Sequence, residues 1–528
     1  MEEDPRIPEW EKAGLMTRER VMDRLHKTMK FHFDQGAFAL RENFNTFAVE
    51  IHGFNYWNQE SFINFLGKNS KPSSLPLVAD AGTILFHLAQ YLGSFPFRTG
   101  PSETSPPAIG FEELLGAIFW LLPGNAERST GAGSMGDDVY MRARSAADRR
   151  RLLFESLADS KGDFAFDETE EKKIAAREAL EVEPHLSDFT LTNYDEEDEM
   201  YHDVLDVLSY SQDFIQPPRA PCRRDALRAL AKRLHTPTCL RQLAISRSKF
   251  KSLVKLMLVE HLNDRDSPNS VKISELESVA DSIVNAFCHG SDENGMITWR
   301  NFDLALKQKA PFLFSSLYRL FSSLLKKRDE ENEDYQAFLL PPLPPNHLLT
   351  PLVLGQLSFI LDSTASFESA PLLYQYDVHQ GTPSENATYE ITSALKSRSG
   401  PFDFRILLIS GKSLSTGEAF VFGSFIMDLS ESLEIVPLED DAWERSFLFQ
   451  ISPTHDVFRS NVGNAAWTLD DELWFGDKGK GMAMGLTDGV KKLKIAHDIK
   501  SEGVYQTTSW RGDWTLELEI DKIEVWGE

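Results

Sequence analysis

The chain has 528 residues, 41% hydrophobic and 26% charged, an ordinary globular balance that predicts a folded chain of about three domains. Lys+Arg is 55 against 81 for Asp+Glu, a formal net charge of −26. That charge argues against sequence-independent nucleic-acid binding, which needs a basic surface to displace counterions, and against electrostatic docking on anionic lipid.

Three cysteines, Cys222, Cys239 and Cys288, are odd in number and lack CxxC spacing. They argue against a disulfide framework or a cysteine-rich zinc site and fit a reducing compartment. The start, MEEDPRIPEWEKAG, has no basic segment followed by an apolar one, and residue 2 is Glu rather than Gly. Neither a secretory signal nor myristoylation is expected on this start. No apolar stretch is expected to reach the roughly 18 residues of a membrane span. The longest candidate, around Ala117–Leu122, stops at Pro123-Gly124. A cytoplasmic protein without a transmembrane segment is the expectation, and the sequon Asn386-Ala387-Thr388 then carries no meaning.

In chain order, residues 10–125 read as helices. Leu15, Val21, Met22, Leu25, Met29 and Phe31 mark roughly one helical face, and FEELLGAIFWLL (111–122) is a second apolar helix. A Gly/Ser/Arg-containing break, residues 124–146, predicts a linker. Helical periodicity resumes at 145–159. Acidic runs at 167–173 and 193–203 then bracket a weakly hydrophobic stretch, so part of 160–205 is expected to be disordered. Helices return from Arg223 to Leu325, and KKRDEENED (326–334) with PPLPP (341–345) punctuates the chain.

After Pro351 the period changes. RILLIS (405–410) and AFVFGSFI (419–426) are apolar on both faces, as buried strands are. Trp514, Leu516, Leu518 and Ile520 alternate strictly, and the phase then slips to Ile523 and Val525. The slip predicts a bulge or tight turn near Asp521-Lys522, and the short strands predict an antiparallel sandwich.

Few motifs carry chemistry. Gly131–Gly136 matches GxGxxG, but the stretch before it is polar where a dinucleotide site needs a strand. Gly411-Lys412-Ser413 lacks the earlier glycine of a P-loop, since that position is Ile406. Gly290–Asn301 has the pattern of an EF-hand loop. Asp292 and Asn294 are its candidate calcium ligands, Gly295 sits at the sharp turn, and Ile297 stands where paired loops hydrogen-bond. Gly290 and Asn301 replace the two strongest ligands, so the loop is expected to keep its shape without tight calcium binding, and no metal is assigned. Fainter half-motifs lie at Tyr56–Leu66 and Ala108–Leu114. No nucleophile–base set, GxSxG elbow or HExxH stands out, and His379, His455 and His497 read as structural. No catalytic residue and no cofactor is expected.

Taken in order, Leu372-Leu373-Tyr374, Phe422-Gly423-Ser424-Phe425, Phe447-Leu448-Phe449, Gly481–Leu486 and the closing Glu524-Val525-Trp526-Gly527 resemble the TLDc family. Gly423, inside a bulky strand, suggests close approach of another backbone, and Trp526 gives the last strand an apolar anchor with one N–H to satisfy. The degenerate EF-hand upstream makes residues 280–528 similar to a fungal branch of the family named for restriction of telomere capping. Residues 10–125 follow that pattern loosely. The glycine cluster before the last strands is thinner than the family's.

The resulting expectation is an α+β chain. A helical, degenerate EF-hand-like region (1–125) leads to a linker or insert (126–222), a second helical region with the degenerate loop (223–335), and a TLDc-like antiparallel β-sandwich (351–528). Phe422, Gly423, Phe425, Phe447, Phe449, Val525, Trp526 and Gly527 are its family-motif structural residues. What the resemblance implies is a non-enzymatic adaptor, peripheral at the vacuole surface, that binds peripheral subunits of the vacuolar proton-pumping ATPase and promotes its disassembly, with any telomere role indirect and no direct nucleic-acid contact. Oxidative-stress protection of the TLDc type and a calcium-responsive switch are the alternatives.

Overall fold

The computed structural model describes residues 4–33, 35–51, 53–70, 74–97, 107–122, 146–161, 201–212, 215, 222–236, 240–263, 273–288, 295–326, 338–339, 346–361, 370–397, 404–427, 446–461, 467–469 and 472–527. The chain divides into two compact units. The first comprises Met1–Leu256, Gly295–Asp303 and Phe314–Tyr335, the second Met257–Asn294, Leu304–Leu313 and Gln336–Glu528.

The first unit is mainly helical. Its helices include α1 (Arg6–Lys12), α2 (Arg18–Phe33), α3 (Gln35–Phe47), α4 (Gln59–Asn69), α5 (Leu75–Ser94), α6 (Phe111–Leu121), α7 (Ala146–Leu157), α8 (His202–Tyr210) and α9 (Arg228–Leu234). A hairpin, β1 (Val49–Ile51) and β2 (Phe54–Tyr56), separates α3 from α4. Just past it, Trp57 N donates to Ile109 O at 2.8 Å and Ile109 N to Trp57 O at 2.9 Å. This reciprocal pair joins two loops, each of which feeds a helix, α4 and α6. Asn58 starts α4, its side chain accepting from Ser61 N at 2.8 Å, which satisfies one orphan donor of the first turn. Trp57 is fully buried, stacks on Phe44 and donates its Nε1–H to Phe44 O at 2.8 Å.

A second loop pair repeats the plan. β3 (Ser160–Lys161), β4 (Leu243–Ile245) and β6 (Ile297–Thr298) form a three-stranded sheet, with Ile245 opposite Ile297. Helices α10 (Arg247–His261) and α12 (Trp299–Gln308) follow β4 and β6 directly. Asp159 prepares the start of α10. Its carboxylate accepts from Ser246 N at 2.8 Å and lies 2.6 Å from Lys249 Nζ. Gly295, at φ +63°, makes the turn into β6, a conformation that suits a residue without Cβ.

The second unit is built on a sheet of ten antiparallel strands. Among the described residues its helices include α11 (Ile273–Phe287), α14 (Pro351–Leu357) and α15 (Ala387–Lys396), and a short pair, β5 (Leu262–Asn263) with β7 (Phe338–Leu339), stands apart from the sheet. The ten strands are β8 (Leu372–Asp377), β9 (Phe404–Ser413), β10 (Ala419–Met427), β11 (Ser446–Ser452), β12 (Asp456–Arg459), β13 (Trp467–Leu469), β14 (Leu473–Phe475), β15 (Gly481–Thr487), β16 (Lys492–Asp498) and β17 (Trp514–Gly527). They run in the order β12-β11-β10-β9-β17-β16-β15-β14-β13, and β8 joins at β17. The first half of β17 pairs with β16 and the second with β8. The register on β9 shifts between Ile520 and Lys522, a bulge at the position the phase slip indicated. Its effect is visible in the packing: Leu518, Ile520, Ile523 and Val525 all enter one core, although their spacing changes.

That core collects residues from β9 to β12 and from β14 to β17, so the sheet closes over its own inner face. Tyr505, in the β16–β17 connection, bridges both Ser460 after β12 and Met482 in β15. A second core covers the outer face. Leu349, Leu354, Leu357 and Ile360 pack there on Phe404, Ile406, Leu408, Phe425, Phe447 and Trp526. Strand β9 thus alternates between two dry faces, which is why Ile406, Leu407, Leu408 and Ile409 are all apolar.

Several expectations meet a different outcome. Leu75–Ser94 is by length and composition apolar enough to cross a membrane. Asp80, His87 and Gln90 interrupt its apolar run in the sequence. More than half of this stretch is buried, with Leu85, Phe86 and Leu88 fully so. Within the stretch read as an insert, α7 forms where helical periodicity resumes at 145–159, while residues 201–205 of the acidic segment are helical or adjoin a helix. The β-rich region also contains an amphipathic helix, α15, whose Ile391 and Leu395 enter the inner core. The break at 124–145, the rest of the acidic stretch and Cys239 lie outside the described residues.

Candidate functional site

The motif residues sit on adjacent strands. Phe422 points into the inner core, while Phe425 joins Phe404 and Phe447 in a stacked ladder across β9, β10 and β11 on the outer face, with ring centroids 6.0 and 5.1 Å apart. Phe449 lies opposite Gly423. A Cβ at Gly423 would stand 2.3 Å from Leu407 O and 2.4 Å from Phe449 Cζ, so the glycine makes room for both a neighbouring backbone and an aromatic ring. Gly485 makes room for the Trp474 ring. Gly527 leaves space for Phe404 O, 2.6 Å from where its Cβ would be, and Val525 fills the inner core.

Glu524, the one residue of the closing motif not singled out from sequence, is fully buried and holds four donors. Oε1 accepts from Leu348 N at 2.7 Å and lies 3.0 Å from His347 Nδ1. Oε2 accepts from Leu349 N at 3.2 Å and from Trp526 Nε1 at 2.9 Å. The last strand therefore clamps the segment that opens the β-rich region. The clue in the sequence was an acidic residue at a position of β17 with apolar residues on both sides.

A second buried polar cluster surrounds the β11–β12 turn. The Ile451 carbonyl accepts from Ser282 Oγ of α11 at 2.6 Å and from Gln356 Nε2 of α14 at 3.2 Å. His455 N donates to Ser282 O at 3.2 Å. His455 Nε2 is 2.9 Å from Lys309 O; the carbonyl can only accept, so Nε2 carries the proton. His455 and Asp456 have no exposed surface. Asp456 Oδ2 accepts from Thr508 Oγ1 at 3.3 Å and from Arg511 Nη1 at 3.4 Å, while Arg511 also donates to Gln450 Oε1 at 2.7 Å. Lys309 Nζ lies 3.7 Å from Asp456 Oδ1 and 4.3 Å from the centre of the Trp510 ring. Arg511 is over the Trp514 ring at 4.4 Å.

The two histidines here bind main chain. His497 Nε2 accepts from Thr508 N at 2.9 Å, which leaves Nδ1 to donate to Gly512 O at 2.8 Å. Burial pushes His497 below its usual range and His455 down to about 4, the backbone bonds opposing the shift in each case. Burial also draws Lys309 down to about 8, against the pull of Asp456. His379 is a turn residue whose N–H bonds Asp377 Oδ1 at 2.9 Å. The arrangement is one of anchoring: helical segments from upstream in the chain are fixed to one turn of the sheet.

Asp292, Asn294 and the glycine motif at 131–136 lie outside the described residues. Among the described residues no group of three or more His, Cys, Asp or Glu side chains is placed to hold a metal ion. Gly411-Lys412-Ser413 lies within β9, paired to β10 and β17 along its length.

No family model matches the chain. It is similar to curated fungal proteins named restriction of telomere capping protein 5. That of Neosartorya fischeri is 27% identical over 364 residues, 62% of this chain and 52% of that protein. The Emericella nidulans protein is 25% identical over 463 residues, 80% of this chain and 64% of the relative. The Aspergillus fumigatus protein is 26% identical over 565 residues, 92% and 82% of the two chains. The match thus spans between about half and four fifths of these relatives and extends through the helical region as well as the sheet.

Proposed function

We propose that the chain is a non-enzymatic, cytoplasmic adaptor of the TLDc type, acting as the fungal proteins it resembles would act, with residues 351–528 as its binding domain. Its partner in this reading is the peripheral sector of the vacuolar proton-pumping ATPase, whose disassembly it promotes at the vacuole surface. The observation that carries the reading is the use made of the motif residues. Phe422, Phe425, Phe447, Phe449 and Trp526 stack or fill cores on neighbouring strands, and Glu524 holds main chain. Such a constellation builds a rigid platform, and rigid platforms present surfaces to partners. The telomere term in the relatives' name is then an indirect consequence, consistent with the net charge of −26.

The test is size-exclusion chromatography of the purified full chain with the purified peripheral sector of the pump. Co-elution, together with loss of assembled pump from vacuolar membranes, is the expected result. Separate elution at micromolar concentrations of both overturns the pump as partner. A calcium-responsive switch is the second reading, favoured by the Gly295 turn and by the Ile245–Ile297 pairing that EF-hand loops share. A flat calorimetric titration of the full chain with calcium removes it.

A further inference from the structure

We propose that the β11–β12 turn is a lysine-accepting site, filled in cis by Lys309, and that Leu304–Leu313 is a displaceable strap on the sheet. The sheet holds the Asp456 carboxylate without help from the strap. Asp456 Oδ2 keeps Thr508 and Arg511, and Oδ1 accepts from Val457 N at 3.1 Å. Gln450 and Arg511 fix each other, and Thr508 is held by His497. The carboxylate therefore stays oriented whether or not a lysine faces it.

The strap side is the costly one. Lys309 is 1% exposed, so its ammonium group has given up its water. In return it has Asp456 at 3.7 Å, too long for a hydrogen bond, the carbonyl of Ala286 at 3.5 Å and the face of Trp510. These contacts leave the buried charge incompletely compensated, as its downward shift to about 8 reflects. This end of the strap is also held by the Lys309 O bond from His455, by the Phe312 N bond to Phe359 O at 3.1 Å and by the burial of Ala310 and Leu313. When the strap leaves, an oriented carboxylate and an aromatic face are open to another primary ammonium group, and a lysine side chain of a partner protein fits that chemistry.

The test uses the full chain with Lys309→Ala and n-butylammonium chloride as the probe, with sodium chloride at equal ionic strength as reference. A saturable rise in Tm of about 2–4 °C is expected in the variant. No such rise is expected in wild type or in the Lys309→Ala, Asp456→Asn double variant. A response no larger than that to sodium chloride, or an equal response in the double variant, overturns the proposal. If Lys309→Ala does not fold, hydrogen exchange of wild type decides. Amides of residues 304–313 are expected to exchange at least tenfold faster than those of β9, β10 and β17, through an opening that leaves the sheet intact. Exchange of the strap only together with the sheet overturns the proposal.

Discussion

Trp526 Nε1 donates to Glu524 Oε2 at 2.9 Å, a bond between two side chains two positions apart on the same face of β17. Tryptophan buries a large ring in the outer core and would otherwise strand its N–H there. The carboxylate accepts a hydrogen bond from that N–H and uses its remaining acceptor capacity to hold the main chain at Leu348 and Leu349. One pair thus closes the last strand and fixes the first turn of the segment that covers the sheet.

Glu524→Gln tests this clamp. An amide presents N–H groups where one carboxylate oxygen accepted two bonds, so two buried donors lose their acceptor. A loss of about 2–3 kcal/mol in unfolding free energy is expected, read from the urea midpoint. An unchanged midpoint with an unchanged slope contradicts the clamp.

Gly423→Ala asks whether the glycine is required for space. The added methyl would meet a backbone oxygen that β9–β10 pairing holds in place, and a ring locked between cores. Destabilisation of about 1–3 kcal/mol is expected. Phe449→Leu in the same chain should recover part of it, because only the ring contact is relieved. Thermal denaturation of the two variants beside wild type measures both effects.

His455 gives a pH dependence whose sign follows from its environment. Its folded-state value is lowered to about 4 from 6.5, so between these values the unfolded chain binds a proton that the folded chain refuses. Stability from this residue is full above pH 6.5 and is lost as pH falls through 4. The loss amounts to about 3 kcal/mol. His455→Gln retains an N–H for Lys309 O and does not titrate. The difference between wild type and variant, followed by urea unfolding from pH 7 to 4, should shrink by that amount; a constant difference contradicts the assignment.

Asp159 anchors the second loop pair. Burial raises its pKa, and the bonds from Lys249 and Ser246 outweigh that, so the carboxyl is lowered below its usual value. Its contribution is present above that usual value and fades as pH falls below it. Asp159→Ala should cost about 1–2 kcal/mol at neutral pH, since Ser246 N at the start of α10 loses its acceptor. Amide exchange at Ser246 reports the same loss locally.

The helical half shows how a degenerate motif can still be read. Tyr56–Leu66 and Ala108–Leu114 were recognisable as loop ends entering helices, and Trp57 and Ile109 do bond reciprocally at those places. The corresponding end at Leu243–Ile245 carries no such mark in the sequence, because no glycine turn or acidic ligand precedes it. Only its pairing with Ile297 reveals it. The helix Ala387–Lys396 was equally hidden, since ten residues with a Thr-rich start give a weak period beside strong strand signals.

Periodicity by itself determined that the C-terminal region is β-rich, that β9 and β10 are buried on both faces, and that β17 changes phase at Asp521. These are local properties, because a strand's two faces alternate along the chain whatever lies beyond them. The order of its ordered aromatic and glycine motifs was enough to place it beside the fungal relatives. Tertiary structure alone decided which charged residues matter. In a chain with 81 acidic side chains, only its apolar neighbours in β17 mark Glu524, and nothing in the sequence separates Asp456 from the rest. Their roles depend on partners 175 and more than 140 residues away, His347 to Leu349 for one and Lys309 for the other, and such distances close only when the chain has folded.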